Sequence, residues 1–395
     1  MVKGFNFLFY VLLFIGFFLP TNNNYYLPFP GVFLKINELA FVLLPIINIF
    51  CFSRNKIKIS DISLKRFIFI FFCLIFFTEF IFKIVAFDQS FGNSFKSFRL
   101  GIPLISSLVL LYFGIRSDIR IVWNTILLAI GSSVLLSLVS IFIELPIYYD
   151  LEEGNSLEHN DGRLMNSNAF FGFIGLYLLF KESDLWYNQS RLVKFVSILS
   201  VMSIVLTFNR TYLAAIVLEF LYLSYVTFSK KNFFKIIFIP VLLSLVFFMS
   251  YHSSNVIKRQ VDKRIFSIVF NEASLVESTV EGSRSMIYEN IQQRIDDDYW
   301  IIGMPYSVGI FQKFVPFEGY LDATKTDISF VNILLRFGFL PLVYFFLIYI
   351  RIIQKKYLPF IIYILALLTS LNIDTLFSHN SILFLVLFSL IYTSR

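Results

Sequence analysis

Long apolar runs separated by short polar clusters recur along the 395-residue chain. A helical membrane span needs about 20 predominantly apolar residues. On that measure the pattern divides into 12 segments: 5–20, 31–52, 66–87, 97–114, 121–145, 167–180, 192–208, 211–228, 233–251, 328–350, 357–371 and 379–393. Two connections are not tight. Pro146 to Asn166 is acidic, and His252 to Asp327 runs for 76 residues. Connections of that length are usually functional or disordered. Within the longer one, Ile287, Ile291 and Ile295 recur at helical spacing, flanked by Arg284, Glu289 and Arg294. This stripe predicts an amphipathic helix on the outer face of the membrane. The expected organisation is helices one to nine in 1–251, an extracytoplasmic loop domain in 252–327, and three further helices in 328–395. The fold class is all-α, with helices packed around an outward-facing cavity.

Composition agrees with the pattern. Apolar residues make up 57%, aromatic residues 19% and charged residues 15%, with mean hydropathy +0.76. Soluble domains carry about 25% charged residues, so an ordinary soluble enzyme is excluded. The net charge of +7 resolves into topology, not nucleic-acid binding. On one side of the alternating segments lie 18 lysines and arginines, whereas the short loops of the other side hold only Lys96, Arg99, Arg163 and Arg210. The positive-inside rule then puts both termini in the cytoplasm. The first apolar segment has no small-residue cleavage site and reads as a retained helix. Cys51 and Cys73 both sit in apolar runs, which gives no basis for a disulfide framework.

Ionisable groups inside apolar segments are costly and point to function or to a partner. Lys35 with Glu38, and Glu79 with Lys83, stand at spacings that let each couple neutralise itself along one helix face. Glu219 and Arg336 have no such neighbour. Arg163, in Gly162-Arg163-Leu164-Met165-Asn166-Ser167-Asn168, and Arg210, in Thr207-Phe208-Asn209-Arg210-Thr211-Tyr212-Leu213, lie on the cation-poor outer side. Such arginines serve either as interfacial anchors or, through the bidentate guanidinium, as phosphate ligands. A metal route is disfavoured. His159, His252 and His379 have no ligand spacing, and the Asp296-Asp297-Asp298 run reads more readily as a solvated helix end than as a cation site.

Taken together, Arg163 to Asn168, Thr207 to Leu213, Gly282-Ser283-Arg284 with Trp300-Ile301-Ile302-Gly303, and Asp327 through Gly338 resemble the landmarks of the Wzy-type O-antigen polymerase and O-antigen ligase superfamily. The resemblance covers roughly the last 230 residues. Asp327 occupies a slot where ligases typically carry His, which favours the polymerases. Ile328 stands where Asn is expected, and Arg336 where an acidic or neutral residue is common.

The resemblance implies a metal-independent, cofactor-free membrane glycosyltransferase. It would move a glycan chain from undecaprenyl pyrophosphate onto the next lipid-linked repeat unit of an O-antigen or capsule, in the bacterial inner membrane, with its active site on the outer face. Implied partners are the undecaprenyl-pyrophosphate-linked oligosaccharide, membrane lipid and a chain-length regulator protein. Arg210 and Arg284 would stabilise the pyrophosphate leaving group. Asp327 would take the acceptor proton. Arg163, Arg336 and Asn168 would bind substrate. The alternatives are a ligase acting on lipid A-core, a transporter or lipid-linked sugar flippase, and a structural membrane-assembly protein. The transporter reading lacks the repeat symmetry common in that class.

Overall fold

The computed structural model describes residues 2–19, 26–29, 32–53, 57, 60–140, 167–181, 191–207, 209–253, 258, 284–297, 299–315, 319–323, 326, 328–371, 373–377 and 380–393. Helices dominate. In chain order they are α1 (Val2–Phe18), α2 (Ile36–Phe50), α3 (Ile62–Phe77), a π-helical turn (Thr78–Phe82), α4 (Lys83–Phe87), α5 (Phe91–Leu100), α6 (Ile102–Phe113) and α7 (Ile119–Ser140). After a 3₁₀ turn (Ser167–Phe170) come α8 (Phe171–Phe180), α9 (Arg191–Leu206), α10 (Arg210–Val226) and α11 (Lys230–Ser253). Then follow α12 (Arg284–Asp296), α13 (Tyr299–Ile302), α14 (Ser329–Phe337), α15 (Phe339–Gln354), α16 (Phe360–Ser370) and α17 (Asn380–Tyr392).

Two short antiparallel hairpins accompany the helices. β1 (Tyr26–Phe29) pairs with β2 (Val32–Lys35), and β3 (Phe311–Val315) with β4 (Gly319–Ala323). β1 and the second hairpin fall in segments assigned to the outer side, whereas β2 takes up the start of the expected 31–52 span.

Among the described residues, Ile62–Phe87, Ile119–Val139 and Asn232–Met249 are long and apolar enough to cross a membrane. Shorter apolar helices include those in 3–18, 36–50, 168–180, 211–226, 339–354, 360–370 and 380–392. Two expected spans are broken. The segment 97–114 divides at Gly101, where α5 and α6 bend by 70°. The segment 328–350 divides at Gly338, whose φ of +91° ends α14 and starts α15. Apolar content alone does not register either turn.

The core is built on close contacts between α8 and α9, α1 and α2, and α3 and α15. At the α8–α9 contact Gly172 and Gly175 face the backbone of Ser200 and Ser197, so a Cβ on either glycine would approach main-chain atoms to 2.6 and 3.0 Å. Small residues at a helix contact let the backbones approach and gain dispersion energy where lipid offers no hydrophobic contrast. α8 and α17 are the most enclosed helices. They meet through Phe171 and Phe384, whose ring centroids are 4.8 Å apart. On α10 and α11 the outward face is apolar, with Tyr225 86% and Phe234 78% exposed, as a lipid-solvated surface requires.

On the side assigned to the cytoplasm, Asp61 caps α3 by accepting from the Leu64 N–H (3.1 Å) and binds Arg351 of α15 (2.9 Å). Burial pushes the Asp61 carboxyl up, but that hydrogen bond and the Arg351 guanidinium outweigh it and hold the group below its ordinary range.

Candidate functional site

Three of the ionisable groups that the sequence singled out, Glu79, Lys83 and Arg336, meet just beyond the C-terminal end of α3. The π turn closes with the Lys83 N–H bonded to the Thr78 carbonyl, five residues back. π turns cluster at functional sites. Glu79 and Lys83 are both fully buried and form an ion pair, as their spacing predicts. Lys83 Nζ also donates to the main-chain carbonyl of Arg336, 253 residues away. Arg336 is itself fully buried. Its Nη1 donates to the Pro305 carbonyl at 3.2 Å, and its guanidinium lies 5.6 Å from the Tyr306 ring centroid.

The turn that covers this cluster is positioned by backbone. Met304 N–H donates to the Leu335 carbonyl (2.8 Å), and Tyr306 N–H to Gln89 Oε1 (2.7 Å). Gln89 is held in turn by donating to Ser94 Oγ of α5 at 2.8 Å. Gly303 and Gly338 cross there: a Cβ on Gly303 would lie 2.3 Å from the Arg336 carbonyl oxygen, and one on Gly338 2.7 Å from that of Ile301. Two stretches that carry the family resemblance, Trp300–Gly303 and Asp327–Gly338, therefore meet at their glycines.

Two isoleucines of the α12 stripe pack on protein. Ile291 is buried with Met304, Ile310 and Leu335, and Ile295 packs against them. The next part of the run behaves as a helix end: Arg294 pairs with Asp297 at 3.5 Å and Gln292 with Asp296 at 3.1 Å. No group of three His, Cys, Asp or Glu residues able to hold a metal occurs among the described residues. Glu38 accepts from the Lys35 main-chain N–H at 2.9 Å and also pairs with Arg99 at 2.8 Å, reached across 61 residues.

Of the other candidate site residues, Arg210 opens α10, where Asn209 Oδ1 accepts from the Thr211 and Tyr212 N–H groups at 3.0 and 3.3 Å. Arg284 is the first residue of α12. Arg163, the acidic 146–166 connection, Gly282-Ser283 and Asp327 lie outside the described residues. Asn168 is buried in the 3₁₀ turn that leads into α8. It donates to the Phe17 carbonyl and to Ser133 Oγ (3.1 Å), and accepts from Asn380 (3.0 Å). These bonds tie α1, α7 and α17 together, so its amide is engaged in helix contacts. Glu219 is fully buried, and neither of its carboxyl oxygens has a hydrogen-bond partner among the described residues.

Sequence reasoning did not single out Gln89, Ser97, Tyr306 or Asp374. Asp374 is buried and accepts from Ser329 Oγ at 3.1 Å, two residues beyond Asp327. Gln89 and Tyr306 meet across 217 residues and Asp374 and Ser329 across 45, separations that leave no local spacing signal. In comparison with known proteins, no family model and no curated sequence matches the chain.

Proposed function

We propose that the chain is a polytopic polysaccharide polymerase with twelve spans and cytoplasmic termini, working in the bacterial inner membrane. Its reaction is transfer of a glycan from undecaprenyl pyrophosphate onto the next lipid-linked repeat unit, at the outer face. One observation carries this reading: the Trp300–Gly303 turn and the segment ending at Gly338 cross over the buried Arg336 and Lys83. That juxtaposition gives physical sense to motifs that are otherwise short and far apart in sequence.

The chemistry asks for two things. The departing pyrophosphate gathers negative charge, which arginines stabilise without a metal. Arg210 and Arg284 are assigned this role, with Arg163 and Arg336 binding the anionic substrate. The attacking hydroxyl must lose a proton to a carboxylate, and Asp327 is the candidate supplied by the resemblance. A chain-length regulator is a further expected partner.

The test is the surface-polysaccharide banding pattern of a strain lacking the protein, restored with wild type, Arg210→Ala, Arg284→Ala or Asp327→Ala at equal membrane levels. The expected pattern is collapse of the ladder to one repeat on the lipid core, rescued by wild type alone. An unchanged ladder in the deletion strain removes the reading. Long chains retained on undecaprenyl pyrophosphate point to the ligase instead.

A further inference from the structure

We propose that the junction between α17 and the 3₁₀ turn before α8 is a binding site for one water molecule, held by Asn380 Oδ1. The inference stands apart from the polymerase reading and survives its failure. It starts from how two buried amides must be turned. Asn168 Nδ2 donates to the Phe17 carbonyl and to Ser133 Oγ. A main-chain carbonyl only accepts, so the nitrogen of Asn168 faces Phe17 and its oxygen faces the other way. There Oδ1 accepts from Asn380 Nδ2 at 3.0 Å. Asn380 therefore commits its nitrogen to Asn168, and the network itself fixes which amide atom is left over.

That atom is Oδ1 of Asn380. It is buried and has no hydrogen-bond partner among the described residues, and the residue as a whole is only 1% exposed. Buried polar atoms are rarely left in that state. Asn380 also lines a cavity of about 10 Å³, together with Asn168 and Ser381 and with the apolar side chains of Ile130, Phe170, Phe171 and Phe384. One water needs a cavity of about 10–15 Å³ measured in this way. Space and an oxygen that lacks a donor thus occur at the same residue.

Other occupants fit less well. An apolar group would leave Oδ1 stranded. A hard cation asks for about six or more oxygen ligands, whereas only three polar side chains line the cavity. A buried water takes about two to four partners. It donates to Asn380 Oδ1, and Asn168 and Ser381 are the polar side chains in reach of its other bonds. Its effect extends past the cavity. Asn380 holds Asn168, and Asn168 holds α1 and α7, so the water completes the pairing of a joint that fastens α17 to both.

The first experiment needs no variant: an electron cryo-microscopy map of the full chain in lipid nanodiscs, at a resolution that shows ordered waters. The expected result is a peak in the cavity about 2.5–3.0 Å from Asn380 Oδ1. A map that shows other buried waters but none here overturns the proposal. So does a peak that strengthens when sodium is replaced by rubidium, which marks a cation. The second compares melting temperatures of wild type, Ser381→Val, Asn380→Leu and the double variant. The valine methyl groups take the place of the water and strand Oδ1, so Ser381→Val should lower the melting temperature by about 2–6 °C. In the Asn380→Leu background there is no oxygen to strand, and the same substitution should cost at least about 2 °C less. Any bond that Ser381 makes elsewhere is lost in both backgrounds and cancels. An equal drop in the two backgrounds overturns the proposal, and if Asn380→Leu does not fold the wild-type map decides alone.

Discussion

Substituting Gly303 by Ala perturbs the crossing in two ways at once. Its φ is +90°, a region that side chains rarely adopt, and the added Cβ would lie 2.3 Å from the Arg336 carbonyl oxygen. Backbone strain of this kind costs about 1–3 kcal/mol. Overlap in a packed interior costs about 1–3 kcal/mol more. The expected loss is therefore about 2–6 kcal/mol, a large share of the roughly 5–15 kcal/mol that holds a native protein together. Gly338→Ala meets the same two penalties, with φ +91° and 2.7 Å to the Ile301 carbonyl oxygen. Each substitution forces the same two strands of backbone apart, so the double variant should lose less than the sum of the singles. The assay is the melting temperature of detergent-purified protein followed by size exclusion. Gly4→Ala serves as control, because nothing lies within 4 Å of its Cβ. A drop of at least about 4 °C is expected for each crossing variant, at roughly 2–4 °C per kcal/mol, with no drop for the control. Gly303→Ala melting together with wild type would refute the reasoning.

Asp61 gives the chain an acid-sensitive clasp. Its folded-state pKa is lowered, so its stabilisation is complete above the ordinary carboxylate value of about 3.9 and is lost as pH falls through the folded value. Melting temperatures between pH 6 and 3 should fall less steeply in Asp61→Asn than in wild type, and Asp61→Ala should lose about 1 kcal/mol further with the helix cap. Asn168→Ala removes three interhelical hydrogen bonds and leaves the Asn380 amide in need of a partner. A loss of about 1–3 kcal/mol is expected in the same melting assay, and full stability would show that the asparagine does not hold α1, α7 and α17 together.

Each apolar segment read from the sequence contains a helix, because apolar length is a local property that sums along the chain. The breaks at Gly101 and Gly338 escaped that sum. At Gly101 the polar residues Ser94, Lys96, Ser97 and Arg99 already mark α5 as unlike a span, and the 97–114 boundary cut through that helix. The Glu79–Lys83 pair was legible because both partners sit on one helix. Glu38 with Arg99, Asp61 with Arg351, and Lys83 with the Arg336 carbonyl were not, since they join residues 61, 290 and 253 positions apart. Periodicity marked the α12 stripe as apolar but could not say whether lipid or Met304 and Leu335 would cover it.

α17 carries one more implication, for how the molecule is made. Residues 380–391 of its 13-residue length are all buried, and it lies against α6 and the 3₁₀ turn before α8. A helix synthesised after the others thus occupies the middle of the bundle. Until it arrives, Phe17, Trp123 and Phe171 lack the Phe384 and Phe388 rings they pack against. Helices inserted early must wait in the bilayer with their inner faces wetted by acyl chains, and those chains must be expelled when α17 docks. Assembly therefore ends with a displacement of lipid from the centre, and the slow step of biogenesis is expected to be that exchange rather than insertion of any single helix.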